Sequence, residues 1–233
     1  MGRGGAKKRE TGEPEPRDRP NLARLKAELR EAAAIEEPTE RLLEAAAIIS
    51  EALADLNVQP VVVGGLALAY WSDSEFQTGD IDVLMPRAPE LNERLEALGL
   101  ERKGRDWTLV GYDVAFEAPG ETLEPGDQAE LVELASGRRV LVLSLEDMLL
   151  WRLREWVHWQ IASGFQQAAH LLIAEPLDAA RLNRRAAEEG LALALAELRR
   201  LTAEIEGGRV YEDWELAEVG RKIERESYSA SDE

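Results

Sequence analysis

The sequence predicts an α/β protein of the α+β kind: a small mixed β-sheet core with N-terminal helices and a C-terminal helical region. Three observations predict it. Apolar residues recur every three or four positions through 21–57 and again through 144–225, the period of amphipathic helices. Between them, 58–143 carries short runs rich in β-branched and aromatic residues, broken by Gly, Pro and Ser, as strands and turns are. The 233 residues suffice for one sizeable domain or two small ones.

Taken in order, residues 1–20 mix Gly, Pro and charge without apolar periodicity, which predicts a disordered tail. Asn21 is a plausible N-cap for a helix with Leu22, Leu25, Leu29 and Ala32 or Ala33 on one face. Pro38 opens a second helix carrying Leu42, Ala46, Ile49, Leu53 and Leu56, with Asn57 near its end, so 21–57 reads as a helical hairpin. The core, 58–143, begins with the buried strand Val61-Val62-Val63, which runs into Gly64-Gly65 and a short helix from Leu66 to Trp71. Ile81 to Met85 is a second strand, and Pro89 to Leu98 is a helix that Gly99 stops. Trp107 to Val110 and Tyr112 to Phe116 read as two strands joined at Gly111, and Glu130 to Leu134 with Arg138 to Leu143 as a hairpin. Ser144 and Asp147 form a capping box that starts a helix through about Trp159. Further helices occupy Phe165 to Ile173, Leu177 to Glu188, Leu191 to Glu206 and Glu212 to Glu224, and 226–233 should be frayed.

Composition removes several function classes. There is no Cys, hence no disulfide framework, thiolate metal site or cysteine nucleophile. The two histidines, His158 and His170, have no metal-binding spacing. The apolar stretch Val61 to Trp71 is too short to span a bilayer, and the charged N-terminus is no signal peptide, so a cytoplasmic protein is the default. With 28 Lys+Arg against 46 Asp+Glu, the formal charge is −18. That sign argues against a nucleic-acid partner, whose affinity comes from displacing phosphate counterions. It favours cations: Mg²⁺, a cationic small molecule or a basic protein. Solubility alone also explains such a surface.

One constellation stands out. Gly64-Gly65 follows a strand directly, and Thr78-Gly79-Asp80-Ile81-Asp82 opens the next. Asp80 and Asp82 alternate along the strand and therefore project from one face. Paired carboxylates repel each other unless a cation lies between them, and hard oxygen donors suit Mg²⁺. The Gly pair offers a side-chain-free turn at a helix N-terminus, where N–H groups and the helix dipole favour phosphate. Two-metal chemistry needs a third carboxylate. Asp113 is the first candidate and Glu117, on the same strand face, is the reserve.

These residues resemble the signatures of the nucleotidyltransferase superfamily, the DNA polymerase beta-like fold, and in particular its small prokaryotic members. The resemblance spans about residues 58–118: Gly64-Gly65, the Asp80-Ile81-Asp82 pair and the later strand acid Asp113. Downstream, Ser144-Leu145-Glu146-Asp147 with Arg152 resembles a helix-opening segment of the small prokaryotic relatives. The resemblance implies that Asp80, Asp82 and Asp113 bind two Mg²⁺, that Gly64 and Gly65 contact the triphosphate, and that Thr78 shapes the metal loop. It implies NMP transfer, with AMP from ATP favoured, to a hydroxyl of a cationic small molecule or a protein. Asp113 would also serve as the base. Arg152 and Arg154 suit the NTP phosphates, or equally salt bridges to Glu146 or Glu155.

Two positions depart from the family pattern. Gln77 stands where an Arg is common, and Gln166-Gln167 where paired acids are common. They support an alternative of another class: a catalytically altered member that binds a nucleotide or a partner protein, such as one half of a toxin–antitoxin-like pair. Trp151, Trp156 and Trp159 read as core or interface residues rather than base-stacking ones.

Overall fold

The computed structural model describes residues 20–104, 106–109, 112, 114–174 and 176–230. The chain is the mixed α/β structure expected: one seven-stranded sheet flanked by helices. Helix α1 (Leu22–Ala32) is capped by Asn21, whose side chain accepts the Arg24 N–H at 3.1 Å. Helix α2 (Pro38–Leu53) begins on Pro38 and ends in a 3₁₀ turn, Ala54–Leu56, with Asn57 left-handed at φ 55°. More of α2 is buried than one stripe: Leu43, Ala45, Ala47, Ile48 and Ala52 join the expected face, because α1, the helices Gly64–Trp71 and Pro89–Leu98 and the strand Arg139–Leu143 all pack against it.

The middle of the chain runs β1 (Val61–Val63), α3 (Gly64–Trp71), β2 (Ile81–Leu84), α4 (Pro89–Leu98), β3 (Leu100–Lys103), β4 (Asp106–Leu109), β5 (Val114–Gly120), β6 (Ala129–Glu133) and β7 (Arg139–Leu143). The strand order is β3-β4-β5-β2-β1-β7-β6. Strands β1 and β2 are antiparallel, β1 runs parallel to β7, and β2 runs parallel to β5, so the sheet is mixed. Helix α4 stops at Gly99, left-handed at φ 100°.

Strand β3 escapes a reading of the sequence, since Leu-Glu-Arg-Lys has one apolar residue and no alternation. It forms by antiparallel pairing with β4 and buries only Leu100. Helix α3 starts at Gly64 rather than Leu66. The joint expected at Gly111, with Val110, lies outside the described residues. Tyr112 is described, and its hydroxyl donates to the Leu29 carbonyl, tying the β4–β5 connection to α1.

The C-terminal region is helical: α5 (Leu145–Trp159), α6 (Ala162–Leu172), α7 (Ala179–Glu188), α8 (Ala192–Glu206) and α9 (Asp213–Ala230). Residues read as a frayed end therefore continue α9 as far as Ala230, while 1–19 and 231–233 lie outside the described residues. One buried cluster joins sheet and helices, with Trp107, Trp156, Phe116 and Phe165 its largest members. The Trp156 indole N–H donates to Leu216 O at 2.7 Å, and Gly164 and Gly220 let α6 and α9 press against the α5 backbone at that tryptophan. Trp151 is half-buried, and Trp159 is exposed. No described helix is long and apolar enough to cross a membrane.

The capping box at Ser144 is only half made. Ser144 Oγ accepts the Asp147 N–H at 3.3 Å, but the Ser144 N–H goes to Gln128 O. The Asp147 carboxylate is fully buried and occupied elsewhere. It takes the Gln128 N–H at 2.8 Å and the Ser144 hydroxyl at 2.7 Å, and it pairs with Arg181 and Arg185 of α7. Arg181 also reaches Glu146 at 3.0 Å, and Arg185 reaches Asp127 at 2.8 Å. This network fastens α7 to α5 and to the loop between β5 and β6.

Burial pushes the carboxyls of Asp127, Glu130 and Glu189 above their ordinary range. A carboxyl raised on folding holds its proton to higher pH in the native chain, so its stabilising contribution exists in acid and is lost as pH rises through the folded value. Glu37 and Glu204 shift the opposite way, but both sit at the surface, where such pairs contribute little. Repulsion within a chain of charge −18 acts in the same direction. Thermal melts taken as pH rises above the ordinary carboxylate range should therefore show these three carboxyls contributing progressively less stability.

Candidate functional site

Strand register builds the site. Val63, the last residue of β1, pairs with Asp82 of β2, so the turn leaving β1 falls on the Asp82 side chain. Gly64 makes that turn at φ +60°, a conformation an L side chain rarely adopts. A Cβ there would also lie 2.3 Å from Asp82 Oδ2. A Cβ at Gly65 would lie 2.6 Å from Thr78 Oγ1 and 2.8 Å from Thr78 Cβ. Both glycines are thus required by close approach. Gly64, Gly65, Thr78 and Asp82, separate in the chain, meet at the N-terminus of α3.

The Gly65 backbone N–H donates to the Asp82 carboxylate, which so occupies the anion position of the helix N-terminus. Thr78 Oγ1 accepts the Asp80 N–H at 3.3 Å, which shapes the loop entering β2. Asp80 is exposed and Asp82 half-buried. The Asp82 carboxyl is raised above its usual range, first by burial and then by the Asp80 charge, while Gly65 and Arg152 oppose the shift. Two acids that feel each other beside a side-chain-free cradle are what a hard cation would relieve, so the donor chemistry fits Mg²⁺.

The third carboxylate was expected at Asp113, which lies outside the described residues. The reserve, Glu117, is described: it stands in register with Asp82 on the adjacent parallel strand β5, so both belong to one face of the sheet. Among the described residues no three of His, Asp and Glu converge closely enough to hold a metal ion.

Arg152 of α5 completes the cluster electrostatically, its charge acting on Asp82. Its side chain is 14% exposed and bonds Glu155 Oε2 at 2.9 Å and Gln167 Oε1 at 3.4 Å. Of the two acids expected to compete for it, Glu155 does so, whereas Glu146 pairs with Arg181. Burial lowers the Arg152 pKa below the ordinary guanidinium value. Its Nε is buried without a partner, a defect costing about 1–3 kcal/mol until something accepts that hydrogen bond. Arg154 faces away, towards Glu124 at 2.7 Å and Glu189. The sequence singles out Gln167 but not its contact: nothing but the crossing of α5 and α6 brings it to Arg152, fifteen positions earlier. The histidines stand apart: His158 lies 3.4 Å from Glu224, and the His170 ring packs edge-on against Phe76.

No family model matches the sequence, and no curated protein matches it. Among solved structures, the chain is similar to an antigenic nucleotidyltransferase-like protein from Paracoccidioides brasiliensis, known from its crystal structure. The two are 14% identical with a TM-score of 0.44, and the match covers 78% of this chain and 91% of that one.

Proposed function

We propose that the chain is a Mg²⁺-dependent nucleotidyltransferase that moves NMP, with AMP from ATP favoured, to a hydroxyl of a cationic small molecule or a protein. The observation that carries this reading is the meeting of Gly64, Gly65, Thr78 and Asp82 at one helix N-terminus. Asp80, Asp82 and Asp113 would hold the metal. Bound there, Mg²⁺ supplies charge neutralisation for the triphosphate and the leaving pyrophosphate.

The chain's own residues do the rest. The N–H groups at the start of α3 bind phosphate oxygens, and the Gly65 N–H, held by Asp82 in the free protein, is one such donor. Arg152 adds a fixed positive charge. Asp113 takes the proton of the acceptor hydroxyl as its oxygen bonds to the α-phosphorus and the bridging oxygen departs with pyrophosphate. Positioning supplies much of the acceleration.

A second reading, a nucleotide- or partner-binding module such as one half of a toxin–antitoxin-like pair, draws on Gln166 and Gln167. Both serve helix contacts: Gln166 reaches Asp213 at 3.4 Å, and Gln167 reaches Arg152. The experiment is incubation of the full chain with ATP, CTP, GTP or UTP labelled at the α-phosphate, Mg²⁺ and cell extract. Transfer of label, greatest from ATP and abolished by EDTA, is the expected result. Thermal stabilisation by nucleotide without transfer supports the second reading, and neither effect overturns both.

A further inference from the structure

We infer that Gln167 is a positioning residue for the nucleotide phosphates, acting through Arg152. The inference rests on the nucleotidyl-transfer reading above. Its origin is a helix crossing. A Cβ at Gly164 would lie 2.8 Å from Arg152 O and 2.9 Å from Trp156 N, so only glycine lets α6 touch the α5 backbone there. One turn further along α6, Gln167 meets the Arg152 guanidinium. Glu155 holds the same Nη1 from α5's own next turn. The guanidinium is thus gripped at one nitrogen from two helices, while Nε stays buried and unpartnered.

Gln167 does this without charge. Arg152 already faces one carboxylate on its own helix, Glu155, and feels a second, Asp82. An acid at 167 would add a third and remove the attraction left over for a polyanion. An amide carbonyl orients the fork and leaves that attraction in place. An uncharged glutamine at 167 therefore keeps Arg152 available to a triphosphate.

Calorimetric titration of the full chain with MgATP and with magnesium tripolyphosphate tests this, using Gln167→Glu and Gln167→Met beside the wild type. Gln167→Glu should weaken both ligands about tenfold, the scale of one charge-assisted contact. Its unliganded melting temperature should stay at or above wild type, because the new carboxylate pairs with Arg152. Gln167→Met removes the grip but adds no charge, so its affinities should fall between the other two. Wild-type affinity in Gln167→Glu overturns the inference. So does a loss as large in Gln167→Met, or one accompanied by a lowered melt, since either marks a packing role. A wild type that binds neither ligand overturns the transfer reading itself, and the inference with it.

Discussion

Asp82→Asn is expected to reduce label transfer by at least about 10²–10³-fold, the loss that follows removal of one preorganised electrostatic contact at a reacting phosphate. The unliganded protein should melt slightly higher, not lower. The two effects share a cause. Asp82 is half-buried, and both burial and the Asp80 charge raise its carboxyl above the ordinary range. Its proton is therefore held more tightly in the folded chain than in the unfolded one. Once ionised, the carboxylate is carried at a cost that asparagine does not have. Asparagine still accepts the Gly65 N–H, so the turn at Gly64-Gly65 keeps its partner. Asp80→Asn should lose transfer too, with less change in melting because Asp80 is exposed. Radiolabel transfer and a thermal melt on the same preparations check both halves. Full transfer in Asp82→Asn removes the proposed chemistry, and a large drop in melting recasts Asp82 as structural.

Asp147→Asn is expected to cause the largest stability loss of any single polar substitution in the described chain. Its carboxylate is fully buried, with four partners. Asparagine preserves the shape and accepts from the Gln128 N–H and Ser144, but it leaves Arg181 and Arg185 in the interior without that counter-charge. Breaking a buried ion pair from one side costs about 3–5 kcal/mol. For a chain of this size that lowers the melting temperature on the order of 10 °C. Arg24 with Glu51 makes the contrast, at 49% and 38% side-chain exposure. Losing that pair should leave the melt essentially unchanged, since water screens it and already solvates both ends. Differential scanning calorimetry separates the two cases. An Asp147→Asn melt within a degree or two of wild type would show that α7 is held by its apolar face, Leu182 and Ala186, rather than by charge.

Local signals account for what the sequence disclosed. Pro38, Gly99 and Asn21 marked helix ends because each acts within one turn, and the structure puts each at the end expected. The Gly64-Gly65 turn was legible because a three-residue β-branched strand precedes it and a paired-acid strand follows. What no reading of the sequence could supply was register. That Asp82 lies opposite Val63, and Glu117 beside Asp82, depends on pairings across the sheet. Strand β3 was hidden for the same reason, since its pattern is polar and its pairing with β4 makes it a strand. Asp147 looked like a cap because Ser144 stands three residues before it, while its arginine partners come more than thirty positions later. Of the proposed site, Gly64, Gly65, Thr78 and Asp82 touch, Asp80 and Arg152 act on Asp82 through charge, and Asp113 falls outside the described residues.

Both borders of the sheet are charged. Glu101, Arg102 and Lys103 are exposed along β3, and Glu133 along β6. An incoming backbone could add hydrogen bonds at either border only by crowding its side chains against ions that keep their water. The molecule thus carries its own deterrent to fibrous growth at the two places where a β-sheet is otherwise open to extension.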